Sequence, residues 1–160
     1  MPDWYVVNAR EGKWWDRGPR GHSRSLIQDD EAQVGVNQFV LEQGQPMSMY
    51  HWEADQEGFL VLSGEALLIL EDEERPLRQW DYFHCPPNVS HTIVGEGDGP
   101  CVILAVGARV PRDSGWGGYP YSELAMKYDA SAEEETTDPD VAYARFPDRE
   151  PAEFREDWLP

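Results

Sequence analysis

The chain has 160 residues, 31 of them acidic against 13 basic, for a net charge of −18. That length is expected to make one domain with room for a buried core. The sign of the charge argues against nucleic acid as a partner, which needs a basic surface, and no apolar run approaches the roughly 20 residues of a membrane span. The charge is unevenly placed: residues 129–160 hold 11 acids and 3 bases, read as a solvated, self-repelling stretch. The opening Met-Pro-Asp-Trp lacks the basic start and apolar run of a secretory signal, so a cytoplasmic protein is expected. Cys85 and Cys101 sit inside apolar runs and are expected as buried free thiols rather than a disulfide.

In chain order, residues 1–33 form an N-terminal arm holding Trp4, Trp14 and Trp15 among glycines and arginines. Such large apolar side chains need cover, so the arm is expected to pack on the remaining structure or on a partner subunit. A homodimer follows, with the arm and an outer barrel sheet at its interface, since exposed sheet edges invite pairing. His22, in this arm, is expected at the surface. Residues 34–42, 47–51, 58–62, 66–71, 81–85, 91–94 and 101–106 then read as short strands rich in Val, Ile, Leu and Phe. Turn chemistry bounds them, as at Ser63-Gly64 and Gly95-Glu-Gly97-Asp-Gly99-Pro100. The acidic run Glu71-Asp-Glu-Glu74 fits a hairpin tip between Leu70 and Leu77. This spacing is that of an antiparallel sandwich or barrel, not of alternating strand and helix. The tail, residues 108–160, is irregular and acidic, with a short helix over 121–128 capped by Ser122 and another fragment over 139–143. Tyr143, Phe146, Phe154 and Trp158 imply that it drapes over a surface.

The chemistry concentrates in His51-Trp-Glu53-Ala-Asp-Gln-Glu57 and, further on, Pro86-Pro-Asn88-Val-Ser-His91. Side chains two apart on a strand share a face, so His51 and Glu53 can converge on one point. Glu57 has the same parity beyond a kink, and His91 arrives on a separate strand. Two imidazoles with one or two carboxylates suit a divalent first-row metal. Glu53 reads as a ligand, which its strand parity favours, or else as an exposed residue at the barrel mouth or a partner orienting His51. His84, before Cys85-Pro86, is a further candidate acid or base, or else a satisfied histidine of the wall. Met47, Met49, Phe59 and Val61 share the ligands' parity and are expected to line the interior, whereas Tyr50 and Trp52 should pack outward, under the arm.

These two stretches resemble the paired motifs of the cupin superfamily over about residues 34–107. The first motif runs Gly, five residues, His-x-His, three or four residues, Glu, six residues, Gly. Here Gly44 stands one residue too early, Glu53 replaces the second His, and Glu57 with Gly64 keeps the spacing. The second runs Gly, five residues, Pro-x-Gly-x-x-His, three residues, Asn. Trp80 stands for its first Gly, Asn88 for the other and Gly95 for its Asn, while Pro86 and His91 match.

The resemblance implies an all-β, cupin-type jelly-roll barrel. It also implies one divalent transition metal per chain, Fe, Mn, Zn or Ni, held by His51, Glu53, Glu57 and His91. The function it implies is a metal-binding cupin that acts on or binds a small organic molecule. A metal-dependent dioxygenase is the first form of that reading; an isomerase or decarboxylase, or a non-catalytic sensing cupin, is the alternative, since one fold carries many functions.

Overall fold

The computed structural model describes residues 4–160, so most of the opening segment read for a leader, residues 1–3, lies outside the described residues. The strands are β1 (Trp14–Asp16), β2 (His22–Ser25), β3 (Val34–Leu41), β4 (Trp52–Glu53), β5 (Glu57–Ser63) and β6 (Glu65–Leu70). They continue with β7 (Glu73–Arg78), β8 (Tyr82–Cys85), β9 (His91–Glu96), β10 (Cys101–Ala108), β11 (Gly117–Gly118) and β12 (Glu150–Ala152). Two single-turn helices, α1 (Glu123–Met126) and α2 (Pro139–Ala142), lie in the tail. Seven strands form one sheet in the order β12-β1-β2-β3-β10-β5-β8, three form a second in the order β7-β6-β9, and β11 pairs with β4. All of these pairings are antiparallel.

Period-2 alternation builds the interior. Leu41, Phe59, Val61, Cys85, Cys101 and Ile103 from the large sheet meet Ala66, Leu68 and Ile93 from the small one in a single apolar cluster. Yet β3, β6 and β10 are apolar on both faces, because both faces are covered. Val40 and Val102 point the other way, under Trp14 and Trp158. Ile69 and Val94 likewise point outward, beneath Tyr50, Ala125 and Ala130 of the tail side. Tyr50 thus packs outward as expected, but the tail covers it rather than the arm. Cys85 and Cys101 are buried free thiols.

The hairpin tip falls where the acidic run placed it, with β6 and β7 paired from Glu65↔Arg78 to Leu70↔Glu73. β7 itself is charged, carries Pro76 and forms a sheet edge, the composition that protects an edge from pairing further. Ser122 caps α1 by accepting from Ala125 N–H at 3.1 Å. Trp80 (φ 74°) and Asn88 (φ 67°), which replace the two glycines of the second motif, both keep the left-handed backbone that such a glycine would supply.

One expected strand does not form. Residues 47–51 run beside β9, held by the bridges at Pro46 and His51, the Met47 N–H to Ile93 carbonyl bond and the Thr92 hydroxyl, which donates to the Ser48 carbonyl at 2.7 Å, but they form no continuous ladder with it. The tail takes the donors a ladder would use: Met49 N–H donates to the Tyr143 hydroxyl (3.0 Å) and Tyr50 N–H to the Ala130 carbonyl. The loss of strand parity separates the two methionines, with Met47 in the interior and Met49 packed against Tyr119, Ala132 and Ala142.

Arm and tail meet each other as well as the barrel. β1 pairs with β12, and the Trp14 ring lies 5.2 Å from Trp158 and 6.1 Å from Phe154. Trp14 is fully buried, so the arm finds most of its cover within its own chain. Trp14→Ala should therefore destabilise the protein by about 3–5 kcal/mol in urea unfolding. Trp4→Ala, at a residue 73% exposed, should stay within about 0.5 kcal/mol of the parent. Equal effects of the two would contradict this packing.

Candidate metal centre

His51 and His91 face each other across an isolated antiparallel bridge. His51 N–H donates to the His91 carbonyl (3.1 Å) and His91 N–H to the His51 carbonyl (2.8 Å). A reciprocal pair of this kind puts both side chains on the same face, and the imidazole centroids are 4.8 Å apart. Glu57 enters from the other sheet, at the start of β5, where it pairs with Cys85 on β8 and Gly107 on β10.

Backbone carbonyls fix the imidazole tautomers. His51 Nδ1 lies 2.8 Å from the Met49 carbonyl and His91 Nδ1 lies 3.0 Å from the Val89 carbonyl. A carbonyl only accepts, so each Nδ1 carries the proton and each Nε2 of a neutral ring presents its lone pair. Glu57 Oε2 lies 3.3 Å from His91 Nε2 and 3.9 Å from His51 Nε2. Ligand atoms of His51, Glu57 and His91 all lie within 4.8 Å of one another, so this triad could hold a metal ion.

The buried polar atoms agree. Glu57 Oε2 and His91 Nε2 are both buried and without a hydrogen-bond partner, and such atoms are costly unless something satisfies them. Burial, followed by the neighbouring His51, drives the His91 pKa down to about 3, so the ring stays in its neutral, metal-binding form. Burial pushes the Glu57 carboxyl up to about 7, with His51 opposing and Glu53 adding to the rise. For His51, burial is the largest influence and acts downward. The acceptor offered by the Glu53 carboxylate to the protonated ring, the charges of Glu57 and Glu53 and the Met49 carbonyl outweigh it, and the pKa rises.

The other residues singled out in the sequence take different places. Glu53 Oε1 is 3.5 Å from His51 Nε2, and its half-buried side chain lines the adjoining cavity. It contacts His51 and stands outside the mutual cluster of three. His84 is exposed: on β8 it alternates with Phe83 and Cys85, which face inward, so it points away from the triad. His22 is half-buried against the Trp158 ring, at 4.3 Å, rather than free at the surface.

Above the triad opens a cavity of about 360 Å³, within the range of small-molecule sites. Phe39, Met47 and Phe59 give it apolar walls; Arg17, Arg20 and Tyr143 line it from the arm and tail. The sequence had assigned arm and tail to cover alone. The one local signal of another role was two arginines flanking Gly18-Pro19 in an otherwise acidic chain.

Residues 37–107 match the family model described as the cupin domain, and no curated protein matches the chain. Among solved structures, the chain is similar to a sugar phosphate isomerase from a cupin superfamily of Silicibacter pomeroyi. The two are 30% identical with a TM-score of 0.53, over 56% of this chain and 60% of that one. It is also similar to a cupin 2 conserved barrel domain protein of Salinispora arenicola, at 19% identity and a TM-score of 0.55, over 69% of this chain and 92% of that one. An RmlC-like cupin of Shewanella frigidimarina matches at 15% identity and a TM-score of 0.59, over 69% of this chain and 96% of that one. The last two are likenesses of fold alone. The barrel is thus a cupin domain, while the chain spans three-fifths of the length of the Silicibacter pomeroyi protein. No helix among the described residues is long and apolar enough to cross a membrane.

Glu57→Gln should act in opposite directions on metal binding and on the metal-free fold. A carboxyl raised from 4.5 to about 7 on folding favours the folded state fully below pH 4.5 and loses that contribution as pH rises through 7. At pH 8 the uncharged amide should raise the stability of chelator-treated protein by about 1–3 kcal/mol, with little gain at pH 4. Elemental analysis of the same variant should find its metal reduced to background. A lower urea midpoint at pH 8, or wild-type metal content, would contradict the role given to Glu57.

Proposed function

We propose that this cupin domain holds one divalent transition metal through His51, Glu57 and His91 and isomerises a small hydroxylated carbonyl compound of the sugar type. The observation that carries the reading is the convergence of two lone-pair nitrogens and a partnerless buried carboxylate at the foot of a cavity of small-molecule size. The 30% identity to a protein named as a sugar phosphate isomerase supports the choice of reaction. Fe, Mn, Zn and Ni all suit this donor set.

When bound, the metal supplies Lewis acidity to an oxygen of the substrate. Glu53 is the group placed to move the proton: it lines the cavity beside the triad and is more exposed than Glu57. It removes the hydrogen on the carbon next to the carbonyl and returns it to the former carbonyl carbon. The hydroxyl proton on the first carbon passes to the old carbonyl oxygen, so one C–H and one O–H bond are exchanged and no oxidant is consumed. Tyr119, its pKa raised by burial first and then by Tyr143 and Glu53, keeps its proton and can donate to a substrate oxygen. Phe39, Met47 and Phe59 exclude water from the other side.

A second reading rests on the same donors. Two imidazoles and one carboxylate also form the set used by non-heme iron oxygenases. Isotope exchange separates the two. In D2O, metal-loaded protein should wash deuterium into the carbon beside the carbonyl of an aldose or ketose phosphate, and Glu53→Gln should slow this by about 10²–10⁴-fold with metal content retained. Oxygen uptake without exchange would favour the oxygenase, and neither reaction would leave a binding protein. Metal affinity that falls tenfold or more in Glu53→Gln would make Glu53 a fourth ligand instead.

We also propose a cytoplasmic homodimer, paired on the outer face of the large sheet where Val34, Tyr82 and Val106 are exposed at 42%, 61% and 38%. These residues lie together beside the edge strand β8. Light scattering should give about twice the 18.3 kDa of one chain, and Tyr82→Asp should shift it toward the monomer. A monomer at micromolar concentration would reject the pairing.

A further inference from the structure

The cavity has a second pole. Arg17 follows β1 and Arg20 closes the short turn Gly18–Arg20, so both come from the arm. Arg17 is only 7% exposed. It donates Nη1–H to the Met47 carbonyl (2.7 Å) and Nη2–H to the Arg20 carbonyl, and its guanidinium lies 4.8 Å over the Phe39 ring. Arg20 lies 4.5 Å over Tyr143 and 5.3 Å over Phe146. The Nε of each is buried without a partner.

Neither has a counter-ion among the described residues. The arginine ion pairs among the described residues engage Arg10, Arg75, Arg112, Arg145 and Arg155. Arg17 and Arg20 join none of them, in a chain with 31 acids to choose from. Burying an unpaired charge is among the most costly arrangements a protein can hold, and two like charges side by side cost more. Burial and then the charge of Arg20 press the Arg17 pKa below the usual arginine range. Five buried side-chain atoms among the described residues lack a partner: three belong to residues that line this cavity, Glu57 at one end and Arg17 and Arg20 at the other, and a fourth is His91 Nε2, 3.3 Å from Glu57 Oε2. The rings of His51, Tyr119 and Tyr143 join those ends along one wall, with centroid steps of 5.9 and 5.7 Å.

We propose that Arg17 and Arg20 form an anion subsite that takes the phosphate of a phosphomonoester whose hydroxylated end lies toward His51, Glu57 and His91. The assignment rests on the reading of this cavity as a small-molecule site and names the class of its substrate. Charge selects phosphate over carboxylate: two adjacent cations call for a dianion, and a phosphomonoester carries about −1.5 to −2 at neutral pH against −1 for a carboxylate. Free guanidinium N–H groups are the donors that hold phosphate oxygens best. Glu53 and Glu57 repel an anion from the other end, so the two poles fix the direction in which a substrate lies. Arg109, exposed at the rim, adds positive charge along the approach.

The probe is inorganic phosphate, titrated calorimetrically at fixed ionic strength and pH 7.5 against chloride and acetate. Wild-type protein should bind one phosphate per chain, with acetate at least about tenfold weaker, the factor a lost charge contact of ordinary size confers. Arg20→Gln should weaken phosphate about tenfold or more with metal content unchanged. Arg20→Lys, which keeps the charge but loses the planar fork, should fall between and serves if the Gln variant does not fold. His91→Ala should still bind phosphate after losing its metal. Phosphate binding that disappears with the metal would place the anion on the metal and overturn the subsite, as would binding no tighter than chloride or unaffected by Arg20→Gln. Acetate equal to phosphate would overturn the choice of a dianion. Metal retained in His91→Ala, with phosphate binding intact, would sink the proposed metal centre and leave the subsite standing.

Discussion

The site depends on two backbone hydrogen bonds, the reciprocal pair between His51 and His91. A side chain alone cannot hold an imidazole in one orientation inside an apolar barrel, because two soft torsions and a ring flip remain open. Here the paired backbones fix where the rings start, and the carbonyls of Met49 and Val89 fix which nitrogen bears the proton. Each carbonyl lies two residues before its own histidine, so the same short segment both aims the ring and sets its tautomer. Glu57 then needs only to arrive from the facing sheet. The pairing costs little at this point, since the surrounding strands bury Phe59, Ile93 and Ile103 whether or not a ligand is present.

The arm and tail turn an ordinary barrel into a pocket with two ends. Val40, Val102, Ile69 and Val94 give the outer faces of both sheets an apolar surface, which draws in Trp14, Trp158, Ala125 and Ala130. That docking has a second consequence. Arg17 stands three residues after Trp14, and Tyr143 directly follows α2, so burying the aromatic anchors carries both into the cavity. Arg17 also holds the Met47 carbonyl, at the start of the run that leads to His51. Stability of the wrap and geometry of the site are therefore coupled, although most of the anchoring contacts lie away from the pocket.

What the sequence revealed follows a physical division. Strands that bury at least one face announce themselves by period, and residues 34–42, 58–62, 66–71 and 101–106 all fall on observed strands. The acidic hairpin tip and the Ser122 cap are local chemistry and were legible for the same reason. The two substituted glycines of the second motif also make sense in hindsight, since Trp80 and Asn88 both keep positive φ. The misses share one cause, long-range contact that leaves no local trace. Residues 47–51 look like a strand until Tyr143 and Ala130 take their hydrogen bonds. β1, β2 and β12 are too short for a period to show; β2 forms by pairing along β3, and β1 and β12 pair where arm and tail meet. His84 sits beside the second motif in sequence, yet one step of strand parity turns it outward. Arg17 and Arg20 carried no motif at all; their meaning lies in joining no ion pair among the described residues, which only the folded chain displays.

That absence also bears on why the protein is so acidic outside and not inside. With 31 acids on a chain of this size, most of the surface lies close to a carboxylate, and a small anion meets repulsion over most of its approach. Two arginines that join no ion pair among the described residues, with aromatic faces beneath them, reverse the local sign there. Their unneutralised charge is a destabilising feature of the pocket taken by itself, as is the partnerless carboxylate at the other end, and cores do not keep such features for packing reasons. Both are relieved together only by a ligand that is electropositive or metal-bridged at one pole and anionic at the other. A simple ion at either pole would relieve half of the strain, and an apolar molecule would relieve none. The cavity therefore favours a polar molecule long enough to touch both ends, and the charge pattern also sets the direction in which it must enter.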